Sequence, residues 1–453
     1  MKIVRIFFTL MGVLSCLNLA AQDTELNSYT FGEGITFDNN KGAKFKIEGY
    51  LQPYFESKSY SNLDETANRY RMRRMRLRLS GNSSNERFSY RFQVDLGGAN
   101  EVDDDAQNLY LLDAYIEYSL TKRINISFGQ RATYTDNREL FMNSYALQLV
   151  ERSRLTSAFA TIREFGLFVR GNFKTGGGSF LRPYFVLTTG DGPNVFRKDR
   201  GGLKVGGRVD FLPFGTFTNF GQFRQSDIVR ERAPKFVIGA HYSLNNGMTS
   251  RRGRDSGRII YLNDANDNGA LDDGEESLPN YTKFGVDFLF KYQGFSVLGE
   301  FVKSTATVPD DINLRNDYLG DDPSVLTNRF RGRVTPTSPD FRDYTPEEYV
   351  RRQLILGQAY NIQMGYLFKN NFSLDARYTH IESDENSFLN NPAFFNRPNH
   401  YTFGVTKFLS RSYGAKIQAS YSIADGGKGI TTNEDTVTFE NEKIFRLILT
   451  LAF

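Results

Sequence analysis

Arginine occupies every second position in one short stretch of the chain, at Arg74, Arg76 and Arg78. In an extended strand these three side chains share a face, and Met75 and Leu77 lie on the opposite face. A guanidinium group can donate two parallel hydrogen bonds to a phosphate or a carboxylate. Because an arginine facing hydrocarbon costs roughly 2 to 4 kcal/mol, the spacing predicts a water-filled interior lined by cations that bind anions.

The same alternation in other predicted strands adds further basic residues to the wetted face. The predicted channel-lining residues are Arg74, Arg76, Arg78, Arg91, Arg131, Arg170, Lys204 and Arg208. Basic residues outnumber acidic ones on this face, which favours anions. The alternative is that the arginines pair with acidic residues across the wall, which would stiffen the structure and leave a weakly selective pore.

A second group of oxygen-bearing side chains lies in the stretch DANDNGALDDGE, residues 264–275. Its spacing matches a calcium loop, in which carboxylate, amide and carbonyl oxygens surround a hard cation on a tightly turning backbone. The predicted ligands are Asp264, Asn266, Asn268, Ala270, Asp272 and Glu275. The flanking residues do not predict the two helices of an EF-hand, so we expect a structural calcium ion in an isolated loop. The alternative is a solvated acidic loop.

Strands must position these residues, because polar and apolar side chains alternate along most of the chain. The last stretch is the clearest example, with Phe445, Leu447, Leu449, Leu451 and Phe453 on one face. The pattern predicts an all-β protein, a 16-stranded antiparallel transmembrane β-barrel over residues 44–453 with lipid outside and water inside. For the last stretch taken alone, a buried strand of a soluble sheet is the alternative.

The predicted connections between strands alternate in length. Links of a few residues alternate with longer loops, among them 133–163, 246–280 and 305–356. Outer-membrane barrels have this arrangement, with short periplasmic turns and long extracellular loops. The link 213–235 breaks the alternation because it falls among the short turns and is long. Either it is a periplasmic excursion or the predicted strand edges around it are wrong.

The first 21 residues predict a secretory signal, since Lys2 and Arg5 precede an apolar run that ends at Ala20 and Ala21. We therefore expect export to the outer membrane of a Gram-negative-type cell, with residues 22–43 as a periplasmic segment before the barrel. The single cysteine, Cys16, lies within this signal, so no disulfide is expected.

Composition argues against several classes of function. After the signal, no apolar run approaches the roughly 18 residues that a membrane helix needs. Lysine and arginine number 56 and aspartate and glutamate 52, a near balance that does not predict a nucleic-acid partner. None of the 3 histidines lies near a nucleophile motif, so we do not expect an enzyme.

Several stretches resemble, in order, the phosphate-selective porins of the O and P type. They are RYRMRRMRLRLSG, FSYRFQVDLGG, LLDAYIEYSL, ISFGQR, VERSRL and FGLFVRGNF, and the resemblance covers roughly residues 69–212. It implies a 16-stranded barrel, a homotrimer, and a long loop that folds inward to constrict the pore. We assign that role to loop 133–163, whose basic residues are Arg138, Arg152, Arg154 and Arg163.

We therefore expect an outer-membrane porin for passive diffusion of small anions, with phosphate-type ions favoured and no cofactor for transport. The expected partners are outer-membrane lipid, small anions, further copies of the chain, and the barrel-assembly machinery acting on the C-terminal strand that ends in Phe453. The alternatives are a general or weakly selective diffusion porin, or a surface-assembly barrel whose long loops bind partner proteins.

Overall fold

The computed structural model of the protein describes most of the chain. The described ranges are 24–30, 34–39, 41–61, 66–97, 110–194, 202–250, 259–266, 272, 274–317, 323–325, 345–390, 397–425, 430–431, 436–437 and 441–453. The predicted signal, residues 1–21, and residues 318–322 and 326–344 of the long loop 305–356 lie outside them. Within the described residues, no helix is long and apolar enough to cross a membrane.

Sixteen antiparallel strands form a closed barrel, as the alternation predicts. The first half comprises β3 (Lys44–Tyr60), β4 (Thr66–Asn82), β5 (Phe88–Asp95), β6 (Tyr110–Ser119), β7 (Ile124–Ala132), β8 (Arg163–Gly171) continued by β9 (Phe173–Gly176), β10 (Ser179–Thr188) and β11 (Lys204–Leu212). The second half comprises β12 (Lys235–Asn246), β14 (Asn280–Tyr292), β15 (Phe295–Thr307), β18 (Gly357–Leu367), β19 (Phe372–Ser383), β20 (Asn399–Phe408), β21 (Ala415–Ala424) and β24 (Glu442–Ala452). Strand β24 pairs with β3, which closes the barrel.

The outside of this barrel is apolar and the inside is polar, the reverse of a soluble protein. Outward residues such as Ile116, Phe128 and Phe403 expose more than half of their surface, whereas the inward Gln363 and Thr450 are buried. Apolar side chains on an outer wall are solvated by lipid, and the closed ladder satisfies the backbone. The last strand follows the predicted parity, since Phe445, Leu447 and Leu451 are exposed while Ile448 is buried.

The alternation of inward and outward side chains in strand β4 is interrupted just before Arg74. Tyr70 and Met72 are exposed on the outside, whereas Arg74 and Arg76 are buried inside. Gln52 pairs with Arg74 and Pro53 pairs with Met72, so Arg73 is an extra residue in the ladder. A bulge of this kind turns two successive side chains toward the same side. Arg73 and Arg74 are accordingly both buried against the same inner carboxylate, Glu151.

Residues before the barrel extend the same sheet. Strands β1 (Thr24–Thr30) and β2 (Gly34–Asn39) form a hairpin, and β2 pairs with the first residues of β3. The segment 22–43, which we expected to be separate from the barrel, therefore continues its wall over the residues described.

The loop between β7 and β8 lies inside the barrel. It contains the helices α1 (Arg138–Phe141) and α2 (Arg154–Phe159) with a 3-10 turn, Ser144–Ala146, between them. Charged wall residues hold it: Lys283 donates to Asp136 over 2.6 Å, and Arg138 donates to Asp287 over 2.8 Å. Almost every residue from Thr133 to Val150 is buried as a result.

The long link 213–235 also folds into the lumen. The strands on either side end at Leu212 and begin at Lys235, so the predicted strand edges are right. Of the two interpretations that the sequence left open, wrong strand edges are excluded, and the link is an excursion that turns into the lumen. The link contains a 3-10 turn, Thr218–Phe223, and Lys291 donates to the carbonyl oxygens of Gly221 and Ser226 over 3.0 and 2.9 Å.

Two long loops build a small layer beyond the barrel. A three-stranded sheet of β13 (Ile259–Leu262), β16 (Leu314–Asp317) and β17 (Pro323–Val325) packs with helix α3 (Pro346–Arg351). Helix α3 begins with the expected capping box of Thr345 and Glu348. The remaining short elements are a 3-10 turn, Phe388–Asn390, and the ribbon of β22 (Ile430–Thr431) and β23 (Thr436–Val437).

Candidate functional site

A cavity of about 770 Å³ lies inside the barrel, on the side of strands β3 to β10. Its inner walls are the tip of loop 133–163 and the link 213–235, which fill much of the opposite side. The described cationic residues that line it are Lys44, Lys46, Arg76, Arg78, Arg91, Arg131, Arg152, Arg163, Arg170 and Arg224. The described acidic residues that line it are Asp113 and Glu117. The cavity therefore lies to one side of the barrel, and its described lining is rich in basic residues.

Three arginines hold the loop tip at one wall of this cavity. Arg76 donates to Asp95 over 2.7 Å and to Ser144 Oγ over 3.1 Å, so one end of its fork is neutralised and the other end binds the loop. Arg78 donates to Asn143 over 3.0 Å. From within the loop, Arg152 donates to the carbonyl oxygen of Met142 over 2.7 Å.

Glu117 binds two arginines at another part of the cavity wall. It accepts from Arg170 over 2.6 Å and from Arg131 over 3.3 Å, so a single carboxylate serves two arginines. The guanidinium carbon of Arg131 lies 4.4 Å from the centre of the Tyr115 ring and 5.1 Å from that of Tyr134. The terminal nitrogens of Arg131 already donate to Glu117, Ser127 and Tyr134, so Arg131 contributes positive charge to the lining and no free hydrogen-bonding edge.

Arg91 and Arg163 share the surroundings of Asp113. Arg163 donates to the Asp113 carboxylate over 2.9 Å. Arg91 lies over the Tyr115 ring at 5.7 Å and, among the described residues, donates no hydrogen bond to a carboxylate. One negative charge thus faces two positive charges here, and Arg91 is the more available of the two cations.

Several predicted channel residues lie in buried ion pairs away from this cavity. Arg74 donates to Glu151 over 2.9 Å, and Lys204 donates to Glu164 over 2.9 Å. The other residues predicted here that lie outside the cavity are Arg138, Arg154 and Arg208. Arg138 and Arg208 both bind Asp210 and Asp287, an arrangement that fastens the loop to the wall. Strand alternation placed Arg74, Lys204 and Arg208 inside the barrel correctly, but their side chains anchor the inner loop.

The loop carboxylates that make these anchors are held ionised. Burial disfavours the charge on Asp136, but Lys283 and Lys204 hold its pKa well below its usual range. For Glu151 burial is again opposed, here by Arg73 and Arg74, and the pKa is likewise lowered. Burial also lowers the pKa of Arg154 in the same loop, to about 10.

Strand alternation also predicts Lys44 and Lys46 as inward basic residues, whereas the lining residues of link 213–235 were not predicted. Lys44 and Lys46 have the inward parity of β3 and lie at the cavity wall. Phe220, Phe223 and Arg224 come from the link 213–235, whose anomalous length was the only signal in the sequence that this segment is special.

The calcium motif lies in the outer layer. Asn268 and Ala270 lie outside the described residues. Asn266 donates to Asp272 over 3.1 Å, and the main chain of Asn263 donates to Glu275 O over 2.8 Å. Loss of surrounding water, together with the charges of Asp272 and Asp264, raises the pKa of Glu275. The part of the chain that the structure describes contains no cluster of three metal-binding side chains, so calcium binding stays a prediction.

Part of this chain matches a known protein family. Residues 45–181 match the family model "Phosphate-selective porin O and P". The resemblance inferred from the sequence is thus confirmed over much of the first half of the barrel. A search of curated proteins finds no match.

Similar solved structures are porins and outer-membrane channels. An anion-selective porin from Comamonas acidovorans is 10% identical, with 91% of this chain and 100% of that chain covered at a TM-score of 0.49. The outer-membrane channel DcaP of Acinetobacter baumannii is 14% identical. The match covers 92% of this chain and 99% of that chain, with a TM-score of 0.46. The trimer form of OmpT from Vibrio cholerae is 11% identical. The match covers 89% of this chain and 99% of that chain, with a TM-score of 0.44. The closed 16-stranded barrel and the family match together give this chain the fold of an outer-membrane porin.

Proposed function

We propose that the chain is an anion-preferring porin in which small anions diffuse passively through the eccentric cavity, with phosphate-type ions favoured. The observation that carries the proposal is the charge of the cavity lining, which contains the ten described cations named above and two described carboxylates, Asp113 and Glu117. Two further carboxylates behind the lining, Asp95 and Glu48, pair with Arg76 and Lys46, and cations remain in excess. A narrow passage with low-dielectric walls focuses the field of such a lining and raises the local concentration of anions.

The type of cation supports oxyanions in particular. Eight of the ten described cationic lining residues are arginines, whose planar forks match the oxygens of phosphate and carboxylate. Arg78 binds neutral groups, donating to Gln93 over 2.8 Å and to Asn143 over 3.0 Å, and its nearest carboxylate oxygen, on Glu48, is 3.6 Å away. Its positive charge is therefore only weakly compensated.

Reversal potentials across a planar bilayer test the proposal. With purified protein in a potassium chloride gradient, we expect the sign that marks chloride as the more permeant ion, and competition by phosphate should reduce the chloride current. Arg91→Ala should lower the anion preference. Lys122→Ala, which removes an exposed charge from a turn, is the matched control and should not. A cation preference in the native protein would refute the proposal.

The second candidate is a weakly selective porin, and the buried ion pairs favour it. Arg74, Arg138 and Arg208 stiffen the barrel and its inner loop and do not line the passage. If anchoring were the role of the lining arginines as well, Arg91→Ala would leave the reversal potential unchanged.

Assembly is a further part of the proposal. We infer a homotrimer in outer-membrane lipid, with the strand that ends in Phe453 recognised by the barrel-assembly machinery. Support comes from the family match over residues 45–181 and from the lipid-type outer wall. Cross-linking in native membranes measures the number of copies directly.

A further inference from the structure

We propose that the cavity binds organic anions in which a phosphate or carboxylate is attached to a flat ring, and that Phe220 and Phe223 of link 213–235 contact the ring. The inference rests on the proposed anion-porin function and narrows its substrate class. Both phenylalanines line the same cavity as the arginines.

The link is held rigidly where it meets the passage. Besides the two bonds from Lys291, Asp227 accepts from the main chain of Gly294 over 2.8 Å and so fastens the link beneath the β14–β15 turn. Glu231 accepts from Thr218 Oγ1 over 2.9 Å, which closes the link on itself. The segment therefore presents its side chains from a fixed backbone.

The backbone at the cavity is strained in a way that exposes an apolar ring. Asn219 and Phe220 have φ values of 50° and 56°, a left-handed conformation that a bulky residue rarely adopts. Phe220 nevertheless leaves 72% of its surface exposed. Strain of this kind persists only where surrounding contacts impose it, and it concentrates at functional positions. Burial of the Phe220 ring within the protein does not account for the conformation, whereas contact with a ligand would.

Other aromatic rings of the lining are interleaved with cations. Tyr134 and Tyr184 lie 4.4 Å apart between ring centres, and Arg131 stacks on Tyr115 and Tyr134. From the link, Arg224 stacks on Tyr413 at 4.9 Å, and no described carboxylate forms an ion pair with it. Inorganic phosphate would use only the cations of such a lining. An aryl phosphate or aryl carboxylate would use the cations and the rings together.

The volume is consistent with this class of ligand. A cavity of about 770 Å³ falls within the range of roughly 300 to 1,000 Å³ that holds drug-sized ligands. It is far larger than one inorganic phosphate requires.

Block of the chloride current by matched pairs of anions tests the inference. We would add phenyl phosphate or inorganic phosphate, and benzoate or acetate, to purified full-length protein in a planar bilayer. We expect each aryl anion to reach half-block at a concentration about tenfold lower than its partner, a ratio typical of a few ring contacts. The double variant Phe220→Ser, Phe223→Ser should lose this ratio, and a measurable chloride current shows that the variant has folded.

The matched control is Phe214→Ser, an exposed phenylalanine of the same link that does not line the cavity. It should keep the native ratio. Equal half-block by the aryl and simple anions in the native protein would overturn the inference and leave the anion porin standing. A native ratio in the double variant would overturn the role of the two phenylalanines. A native channel that prefers potassium would instead overturn the proposed function.

Discussion

Gln225 donates a hydrogen bond from Nε2 to Oε1 of Glu139 over 2.9 Å. The bond joins two chain segments that enter the barrel from opposite ends, the link 213–235 and the loop 133–163. Gln225 Oε1 also accepts from the main chain of Gln148 over 2.6 Å and from Gln363 over 3.1 Å. One buried side chain thus ties both inner segments to each other and to strand β18, and the shape of the passage depends on this tie.

Gln225→Ala should loosen both inner segments. It removes several buried hydrogen bonds and leaves the Glu139 carboxylate and the Gln363 amide short of partners, which costs about 1 to 3 kcal/mol for each such group. We expect larger fluctuations of the single-channel current and a lower unfolding temperature in detergent. Gln353→Ala, at a half-buried position after helix α3, is the control. A quiet channel with native conductance would contradict the prediction.

Asp287→Asn should destabilise the whole barrel. Asp287 accepts from Arg138 over 2.8 Å and also from Arg208, and all three side chains are buried. Loss of the Asp287 charge leaves the positive charges of two buried guanidinium groups poorly balanced. Breaking a buried ion pair costs roughly 3 to 5 kcal/mol of unfolding free energy. Thermal unfolding in detergent measures the effect.

The control for this prediction is Asp384→Asn. Asp384 accepts from Arg351 over 2.8 Å in a more exposed pair, and such pairs contribute about 0 to 1 kcal/mol. Equal losses of stability in the two variants would show that the buried cluster around Asp287 is not the stronger anchor.

The anchoring of loop 133–163 should weaken in acid. The pKa values of Asp136 and Glu151 are lowered in the folded protein, below unfolded values of about 3.9 and 4.3. Groups shifted in this direction stabilise the fold above their unfolded pKa and lose that contribution as the pH falls toward the folded pKa. Hydrogen exchange of the loop amides, corrected for the intrinsic rate, should therefore become faster below about pH 4 than at pH 5.

Asp136→Asn provides the comparison for this pH series. It removes the carboxylate that Lys283 binds over 2.6 Å, so the loop should exchange faster already at pH 7. Loosening of the native loop between pH 5 and pH 6 would show that other groups control its anchoring.

Calcium should protect the outer loop 264–275. The charges of Asp264 and Asp272 raise the pKa of Glu275 beyond the effect of lost water, and a divalent cation would relieve this repulsion. Chelation should increase hydrogen exchange in the loop, and Asp272→Asn should remove the response. Asp310→Asn, an exposed aspartate, is the control. If calcium is added to native protein that was first treated with a chelator and hydrogen exchange in the loop does not change, the predicted calcium site is rejected.

The sequence alone determined the wall of this barrel. Period-two alternation predicted which side chains of the strands face lipid and which face the lumen. The bulge at Arg73 was identified only by the strand pairing in the structure. The alternation follows from local geometry, because successive residues of a strand point to opposite faces whatever surrounds them. Arg74, Arg76 and Arg78 therefore lie inside as predicted, and only their partners differ from expectation.

The tertiary structure decided which inward residues line the passage. Arg76 lines the cavity whereas Arg208 is buried beneath loop 133–163, a difference set by what covers each side chain and invisible to strand parity. The path of link 213–235 could likewise not be predicted from the sequence. Its length was evident, but its inward path depends on Gln225 meeting Glu139 and Gln363, residues far apart in the chain. Contacts over such separations form only once the barrel has closed around them.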